Sequence, residues 1–253
     1  MSQIRKPLTV RPKLEAKVPE TAMVMAAGKG TRMRPLTATR PKPLIEVAGS
    51  TLLDHVLDHL RTAGVRRVVV NVHYFADSLE AHLKSRASDL DVVISDEREE
   101  LLETGGGLIK AKPLLRDDPF LCINTDNIWL DGPVDGIRLL ASHWDDVRMD
   151  ALMLLVPLAR AHNHSGRGDF QMDPWGRLSR RRPGRMAPYV WTGIQMLSQR
   201  LLFDPPAKVF STNVFWDRAI AAGRCYGVVH QGLWFDVGTP PAIAKTEAMI
   251  ADG

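Results

Sequence analysis

Short apolar segments alternate with segments of helical periodicity from Thr21 onward, and no other feature of the sequence constrains the fold as strongly. Ala22–Ala27 is a continuous apolar run, and Arg67–Val72 is rich in β-branched residues, as is typical of buried strands. Between them, Leu52–Ala63 has apolar residues at helical spacing and ends before Gly64, a common C-terminal cap. Because near-continuous apolar strands occur in sheets covered on both faces, this order predicts an α/β fold with a mostly parallel sheet.

Later segments continue this alternation and then depart from it. The same criteria predict strands at Leu90–Ser95, Phe120–Asn124 and Ala151–Pro157, and helices at Asp77–Ser85, Gly106–Leu115, Thr212–Ala222 and Pro240–Ala251. Short strand-like pieces flank the turn Asp173–Gly176, and a further strand is predicted at Tyr189–Leu197. We expect these pieces to form a small antiparallel flap on one side of the sheet.

Residues 1–20 differ from the rest of the chain, since they contain three prolines and scattered charges without apolar periodicity. We predict a flexible N-terminal extension over residues 1–20, with a docking arm for a partner as the alternative, and one domain over residues 21–253. The net charge is +4, and the extension contributes +3 of it. A nucleic-acid groove needs a basic face on the folded domain, so the nearly neutral remainder predicts no nucleic-acid partner.

Hydropathy and cysteine usage predict a cytoplasmic protein without a membrane partner. The longest nearly uncharged apolar run, Ala151–Ala159, is far shorter than the roughly 18–20 residues of a membrane span. No hydrophobic signal-peptide core follows Met1. Cys122 and Cys225 lie in apolar segments without metal-type spacing, which is typical of reduced thiols in a core.

A loop with two glycines follows the first predicted strand directly. Gly28 and Gly30 let the backbone approach a ligand closely and turn its N–H groups toward anionic oxygens. Lys29 and Arg32 add positive charge, so the loop suits a polyphosphate, although a tight turn without a ligand is the alternative. A dinucleotide-binding fingerprint is excluded because Met33 stands where the third glycine would be, and no P-loop spacing occurs.

A lysine between two prolines follows this loop. Pro41 and Pro43 restrict the backbone on either side of Lys42. A lysine held on a stiff segment beside a glycine loop presents a positive point charge that suits phosphate binding. Lys42 is therefore a second candidate for phosphate binding.

The run from Ala26 to Leu44 resembles the signature of sugar-1-phosphate nucleotidyltransferases, AAGxGTRxxPLT followed by PKPL, nearly position by position. The resemblance extends from Thr21 to about Ala251. It implies a single Rossmann-like nucleotidyltransferase domain, with a mostly parallel mixed sheet, helices on both faces and a small antiparallel flap. Members with a C-terminal left-handed β-helix are longer, so no β-helix domain is expected. The implied reaction is Mg²⁺-dependent transfer of a nucleoside monophosphate from an NTP to a sugar 1-phosphate, with release of pyrophosphate.

The resemblance also implies roles for particular residues. Arg32 and Lys42 match the family's catalytic cations, and Asp126 and Asp236 match its magnesium-binding carboxylates. The family's nucleotide-binding positions are matched by Ala26, Ala27, Gly28, Gly30, Thr31, Thr104, Gly105 and Asn124. Its sugar-binding positions are matched by Asn163, Gly168, Asp169, Thr192 and Gly193, with Arg180 or Arg182 replacing a lysine that holds the sugar phosphate.

Some of these positions have further readings or depart from the family pattern. Gly105–Gly107 are expected to allow close packing of a flat base and Thr104 to offer a hydroxyl to its edge, with a glycine-rich helix start as the alternative. Asp236 has a helix cap as its alternative role. Thr125 replaces the usual glycine before the first carboxylate, and Trp191 replaces an asparagine of many members.

Two strings narrow the expected substrates. LETGGG and GRGDF most resemble the branch that joins UTP to N-acetylmuramate 1-phosphate in peptidoglycan recycling, so UTP is the favoured nucleotide. Guanylyl transfer to mannose 1-phosphate, or nucleotidyl transfer to another hexose or heptose 1-phosphate, is the alternative. A non-catalytic nucleotide-binding module is a second hypothesis, and the complete set of Arg32, Lys42, Asp126 and Asp236 argues against it.

Overall fold

A sheet of nine strands forms the centre of the chain over residues 14–251, the part that the computed structural model describes. The strands of the chain, nine of which belong to this sheet, are β1 (Thr21–Met25), β2 (Glu46–Val47), β3 (Ser50–Thr51), β4 (Arg67–Val72), β5 (Asp91–Asp96), β6 (Phe120–Asn124), β7 (Asn127–Leu130), β8 (Ala151–Pro157), β9 (Ala161–His162), β10 (Phe170–Met172), β11 (Leu178–Arg180), β12 (Tyr189–Leu197), β13 (Cys225–Val229) and β14 (Leu233–Asp236). The helices are α1 (Leu52–Ala63), α2 (Ala76–Arg86), α3 (Glu103–Ala111), α4 (Gly136–Ser142), α5 (Asn213–Ala221) and α6 (Pro240–Ala251).

Strands β6, β1, β4 and β5 lie side by side and run parallel. Parallel neighbours need crossover connections, which α1, α2 and α3 supply between successive strands. Side chains of β1 alternate between two cores, since Ala22 and Val24 pack with α1, α2 and α4 while Met23 packs with α3 and α5. Helices therefore cover both faces, and the predicted α/β fold with a mostly parallel sheet is confirmed.

Strand β12 joins an antiparallel part to this sheet. It pairs antiparallel with β6, β8 and β10, and the β10–β11 hairpin forms the predicted flap. Helix α3 begins at Glu103 rather than at Gly106 and ends at Ala111 rather than at Leu115. The end differs because Pro113 lacks an N–H group, and the chain continues as the 3-10 turn Lys112–Leu114.

A small second sheet, β7–β14–β9, lies beside the main one and was not predicted. Its strands have four residues or fewer, too few to show a period of two. Ile128 of β7 and Phe235 of β14 are buried in a third core cluster with Met33 of the glycine loop. This cluster attaches the glycine loop to the end of the chain.

The predicted N-terminal extension lies only partly within the structure, because residues 1–13 are outside the described residues. Leu14, Ala16 and Val18 alternate and pack, partly buried, against the core cluster of α1, α2 and α4. The division of the chain at residue 20 stays a prediction, and residues 14–20 pack on the domain.

Cys122 and Cys225 are buried free thiols, and burial raises the pKa of each to about 12. Among the described helices, none combines the length and the apolar character needed to cross a membrane.

Candidate active site

A cavity of about 270 Å³ opens where β1 and β6 end, at the carboxyl edge of the parallel strands, where open α/β sheets bind ligands. Its lining includes Ala26, Ala27, Gly28, Lys42, Thr104, Asn124 and Asp126, all predicted from the sequence. A second pocket of about 200 Å³ is lined by Gly28, Gly30, Thr31, Arg32, Lys42, Asp126 and Gly238. The two share Gly28, Lys42 and Asp126, so the structure brings the predicted nucleotide and cation positions into one continuous region.

The glycine loop is held close to the lysine segment at Gly30. Gly30 has a left-handed backbone, and a Cβ atom there would lie 2.9 Å from the Cβ of Lys42 and 2.9 Å from Cγ2 of Thr37. The Thr37 hydroxyl donates a hydrogen bond of 2.9 Å to the Gly30 carbonyl. Glycine is required here because the loop turns back tightly onto Lys42.

Lys42 and Asp126 form an ion pair at the centre of the site. Lys42 Nζ lies 3.1 Å from Asp126 Oδ2, and the lysine side chain is only 12% exposed. The other carboxylate oxygen, Oδ1, accepts a hydrogen bond of 3.0 Å from Asn127 Nδ2. Thr125, at the departure from the family pattern, donates its hydroxyl to the Met25 carbonyl at 3.0 Å and so ties the end of β6 to the end of β1.

Asp236 reaches the same region through strand pairing. In the β7–β14 ladder Asp236 lies opposite Asn127, and the Val237 N–H donates to the Asp126 carbonyl at 3.0 Å. A Cβ atom at Gly238 would lie 2.8 Å from Asp236 Oδ1 and 3.1 Å from a guanidinium nitrogen of Arg32. The pairing thus brings both predicted carboxylates and both predicted cations together.

The donor set at this point consists of two carboxylates. Within residues 14–251, no cluster of three or more His, Cys, Asp or Glu side chains is arranged to hold a metal ion. Magnesium binds one or two protein carboxylates and completes its coordination with phosphate oxygens and water, whereas a structural zinc site needs four protein ligands. Asp126 and Asp236 therefore fit magnesium that binds together with a phosphate ligand.

Comparison with known proteins agrees with this geometry. The nucleotidyl transferase family model matches residues 21–165. The chain belongs to the nucleotidyl transferase family. The family and the enzyme class implied by the resemblance of Ala26–Leu44 are confirmed.

Individual relatives show how far the likeness extends. An N-acetylmuramate alpha-1-phosphate uridylyltransferase of Caulobacter vibrioides is 43% identical over 240 residues, covering 94% of this chain and 99% of the relative. A mannose-1-phosphate guanylyltransferase catalytic subunit beta of Danio rerio is 31% identical over 229 residues, covering 87% of this chain and 61% of the relative. The crystal structure of HddC from Yersinia pseudotuberculosis complexed with GMP-PN matches with a TM-score of 0.72 at 22% identity, covering 91% of this chain and 99% of that one. This last likeness supports the fold alone.

In this nucleotidyltransferase a bulge in β12 brings Gly193 next to Asn127, whose side chain bonds Asp126. The register shifts between Trp191 and Gln195, and Gly193 has a φ of +87°. A Cβ atom at Gly193 would lie 2.3 Å from Asn127 Nδ2, the amide nitrogen that bonds Asp126. The neighbouring Thr192 is fully buried and donates its hydroxyl to the Leu154 carbonyl at 2.8 Å, so its side chain lies within the fold.

We expect Gly193→Ala to lower kcat/KM about tenfold or more, because the added methyl group displaces the Asn127 amide and with it Asp126. The positive φ also costs an alanine roughly 1–2 kcal/mol of stability. Gly223→Ala is the matched control, since Gly223 has a φ of +67° and no atom within 4 Å of its Cβ position. Steady-state kinetics and thermal unfolding of both variants separate the effects. Equal kcat/KM values for the two variants would contradict this role of Gly193.

The loop predicted to face the sugar is held by its own polar groups. Asn163 Nδ2 donates to the Thr246 hydroxyl of α6 at 3.0 Å. Gly168 has a φ of +78°, and a Cβ atom there would lie 2.1 Å from the Ala187 carbonyl oxygen. Asp169 Oδ2 accepts the Trp191 N–H at 2.9 Å. These contacts position the loop, and direct sugar contacts of the three residues remain predictions.

The two candidate arginines for the sugar phosphate lie in and after β11. Arg180 Nε lies 2.7 Å from Asp217 Oδ1, and its terminal nitrogen donates to Asn213 Oδ1 at 2.9 Å, so its guanidinium is directed onto α5. Arg182 is exposed. The structure therefore does not group Arg180 with the carboxylate pair, and a substrate role for either arginine remains a prediction.

The second glycine string, Gly105–Gly107, is in close contact with the segment before α5. The Gly105 and Gly106 N–H groups donate to the Phe210 carbonyl at 2.8 and 3.2 Å. A Cβ atom at Gly105 would lie 2.5 Å from the Phe210 ring, and one at Gly106 would lie 2.3 Å from the Lys208 carbonyl oxygen. These glycines therefore pack closely against protein on this side, and their packing against a flat base stays a prediction. Thr104 still lines the cavity, with its hydroxyl 2.8 Å from that of Thr212.

Three polar residues of the site were missed by sequence reasoning. Asn71 lines the cavity from the end of β4, Glu97 is buried behind it, and Asn127 supports Asp126. The signal that could have revealed Asn71 is an amide inside an otherwise apolar strand, where a buried polar group requires a partner. Glu97 and Asn127 belong to no motif in the sequence.

Proposed function

We propose that this nucleotidyltransferase transfers a uridylyl group from UTP to N-acetylmuramate 1-phosphate, giving UDP-N-acetylmuramate and pyrophosphate. The observation that carries the proposal is the meeting of Lys42 with Asp126, 3.1 Å apart, where the two pockets join. The 43% identity with the Caulobacter enzyme, over 99% of its length, supports the choice of substrates.

The proposed reaction needs no protein nucleophile. An oxygen of the sugar phosphate, already ionised at neutral pH, attacks the α-phosphorus of UTP and forms a new P–O bond. The bond from the α-phosphorus to the oxygen that bridges it to the β-phosphorus breaks, and pyrophosphate leaves with the electron pair. Catalysis then consists of positioning and charge neutralisation.

Each part of the site has a task in this proposal. Arg32 and the backbone N–H groups of the glycine loop hold the phosphates that leave, and Lys42 neutralises charge at the α-phosphate. Asp126 and Asp236 hold Mg²⁺. When bound, the ion neutralises charge that develops on the phosphate oxygens. Thr104, Gly105 and Asn124 are proposed to border the nucleoside.

The sugar distinguishes the proposed substrate from other hexose phosphates. N-acetylmuramate carries a lactyl carboxylate, whose recognition needs cationic or hydrogen-bond donor groups. Three exposed arginines are candidates for binding this carboxylate. Arg167 lies in the loop predicted to face the sugar, and Arg182 and Arg185 follow the flap strand β11 in the sequence. We propose that the reaction takes place in the cytoplasm, in peptidoglycan recycling.

Guanylyl transfer to mannose 1-phosphate is the second candidate, favoured by the likeness to the Danio rerio subunit. The deciding quantity is kcat/KM for UTP with N-acetylmuramate 1-phosphate relative to that for GTP with mannose 1-phosphate. We expect a ratio of about 100, because hydrogen bonds to the lactyl carboxylate contribute about 1.5–3 kcal/mol each and a 100-fold ratio corresponds to about 2.8 kcal/mol. A coupled pyrophosphate-release assay measures both. A ratio below one would discard the muramate assignment and leave nucleotidyl transfer intact.

A further inference from the structure

Two buried polar side chains connect the two loops that enclose the nucleotide cavity. Asn71 Oδ1 accepts the N–H of Ala26, at the start of the glycine loop, at 2.7 Å. Asn71 Nδ2 donates to Glu97 Oε1 at 2.8 Å, and Glu97 Oε2 accepts the N–H of Leu102, at the start of the second loop, at 3.1 Å. A single chain of hydrogen bonds thus joins Ala26 to Leu102.

Because its members are buried, breaking this chain of hydrogen bonds costs free energy. Asn71 is 2% exposed and Glu97 is 1% exposed. Both Glu97 oxygens accept from N–H groups, and each acceptor left without a donor would carry a desolvation penalty. Gly107 leaves the space for the pair, because a Cβ atom there would lie 2.8 Å from Glu97 Oε1.

The chain of hydrogen bonds begins at the cavity lining and ends at Leu102, the neighbour of the lining residue Leu101. Ala26, Asn71, Leu101 and Thr104 all line it. Glu97 lies one layer behind, and Glu97 N–H itself donates to the Val72 carbonyl at the end of β4. A shift of either side chain would therefore change the width of the cavity without touching the Lys42–Asp126 pair.

We propose that Asn71 and Glu97 are positioning residues that set the distance between the two nucleotide loops and so tune affinity for the nucleoside triphosphate. This inference rests on the proposed function, because it assumes that the cavity holds the NTP. The pair acts on binding of the nucleotide, whereas Lys42 and the carboxylates act on transfer.

A reciprocal exchange of the two side chains tests the pairing. Asn71→Asp alone places two carboxylates against each other, and Glu97→Gln alone places two N–H donors against each other in every amide orientation. In the double variant the amide at position 97 donates to the carboxylate at position 71, its oxygen accepts the Leu102 N–H, and the Ala26 N–H keeps its acceptor. All bonds and one negative charge are then restored in the same volume.

We expect each single variant to raise the Kd for UTP and the KM for UTP about tenfold or more, with kcat at saturating UTP changed less than about threefold. The double variant should return both constants to within about threefold of the wild type. Isothermal titration with UTP measures Kd without turnover. If a single variant does not fold, Asn71→Ala removes both the acceptor of the Ala26 N–H and the donor to Glu97, and it should still raise Kd.

Gln195→Met is the control for general destabilisation. Gln195 is buried and accepts the Trp216 indole N–H at 2.8 Å, in the core that packs on α5, so this variant should lose thermal stability and keep the wild-type Kd. Single variants with lowered Tm and unchanged Kd would overturn the inference, and so would a double variant no better than the singles. A wild-type protein that binds UTP but produces no sugar nucleotide would reject the proposed function alone.

Discussion

Replacing Asp126 by asparagine is expected to lower kcat/KM roughly 10³-fold, because the variant loses one of two carboxylates that fit magnesium beside the phosphates. The fold should persist, since the Val237 N–H bonds the backbone carbonyl of residue 126 and the Asn127 amide can still donate to the side-chain oxygen. Steady-state kinetics over a range of Mg²⁺ concentrations, with thermal unfolding of the metal-free protein, measure the two effects separately.

Asp89→Asn is the control for this first prediction. Asp89 is an exposed carboxylate paired with Arg61 at 2.8 Å, remote from the cavity lining, so its loss should leave turnover unchanged. Binding of Mn²⁺, followed by its electron paramagnetic resonance signal, gives a readout that does not depend on turnover. Normal Mg²⁺-dependent turnover of the Asp126→Asn enzyme would refute the assignment of the carboxylate pair.

The second large effect is expected for Lys42→Met. Methionine keeps an unbranched apolar chain in the space of the lysine stem but removes the charge proposed to neutralise the α-phosphate, so kcat should fall about 10²- to 10³-fold. The ion pair with Asp126 is partly exposed and contributes at most about 1 kcal/mol, so thermal unfolding should change little. Single-turnover kinetics at saturating substrates measures the loss in the chemical step.

Lys84→Met is the matched control, since Lys84 is an exposed lysine on α2. It should retain wild-type kcat. A Lys42→Met enzyme that transfers nucleotide within tenfold of the wild-type rate would contradict the role of Lys42 and would favour the hypothesis of phosphate contacts made by Arg32 and the loop backbone alone.

Local sequence patterns predicted the parts of the site that are continuous in the chain. The glycine loop and the Pro-Lys-Pro segment lie within 20 residues of each other, and the structure packs Gly30 directly on Lys42. By contrast, the family resemblance implied Arg180 or Arg182 at the sugar phosphate; the structure directs the Arg180 guanidinium onto α5, and the phosphate role of either arginine stays a prediction. Closeness to the sugar loop in the sequence does not indicate the direction of the Arg180 side chain. Strand pairing and the acidic partner Asp217 determine that direction.

The sequence by itself determined the parallel α/β core and the glycine loop that follows β1, because apolar periodicity and glycine placement act over a few neighbouring residues. Only the tertiary structure decided that Asp236 lies opposite Asn127, that Gly193 abuts the Asn127 amide, and that Asn71 and Glu97 share one buried chain of hydrogen bonds. Strand register and the demand that buried polar groups be paired set these contacts. Both depend on residues far apart in the chain, which leave no periodic pattern in the sequence.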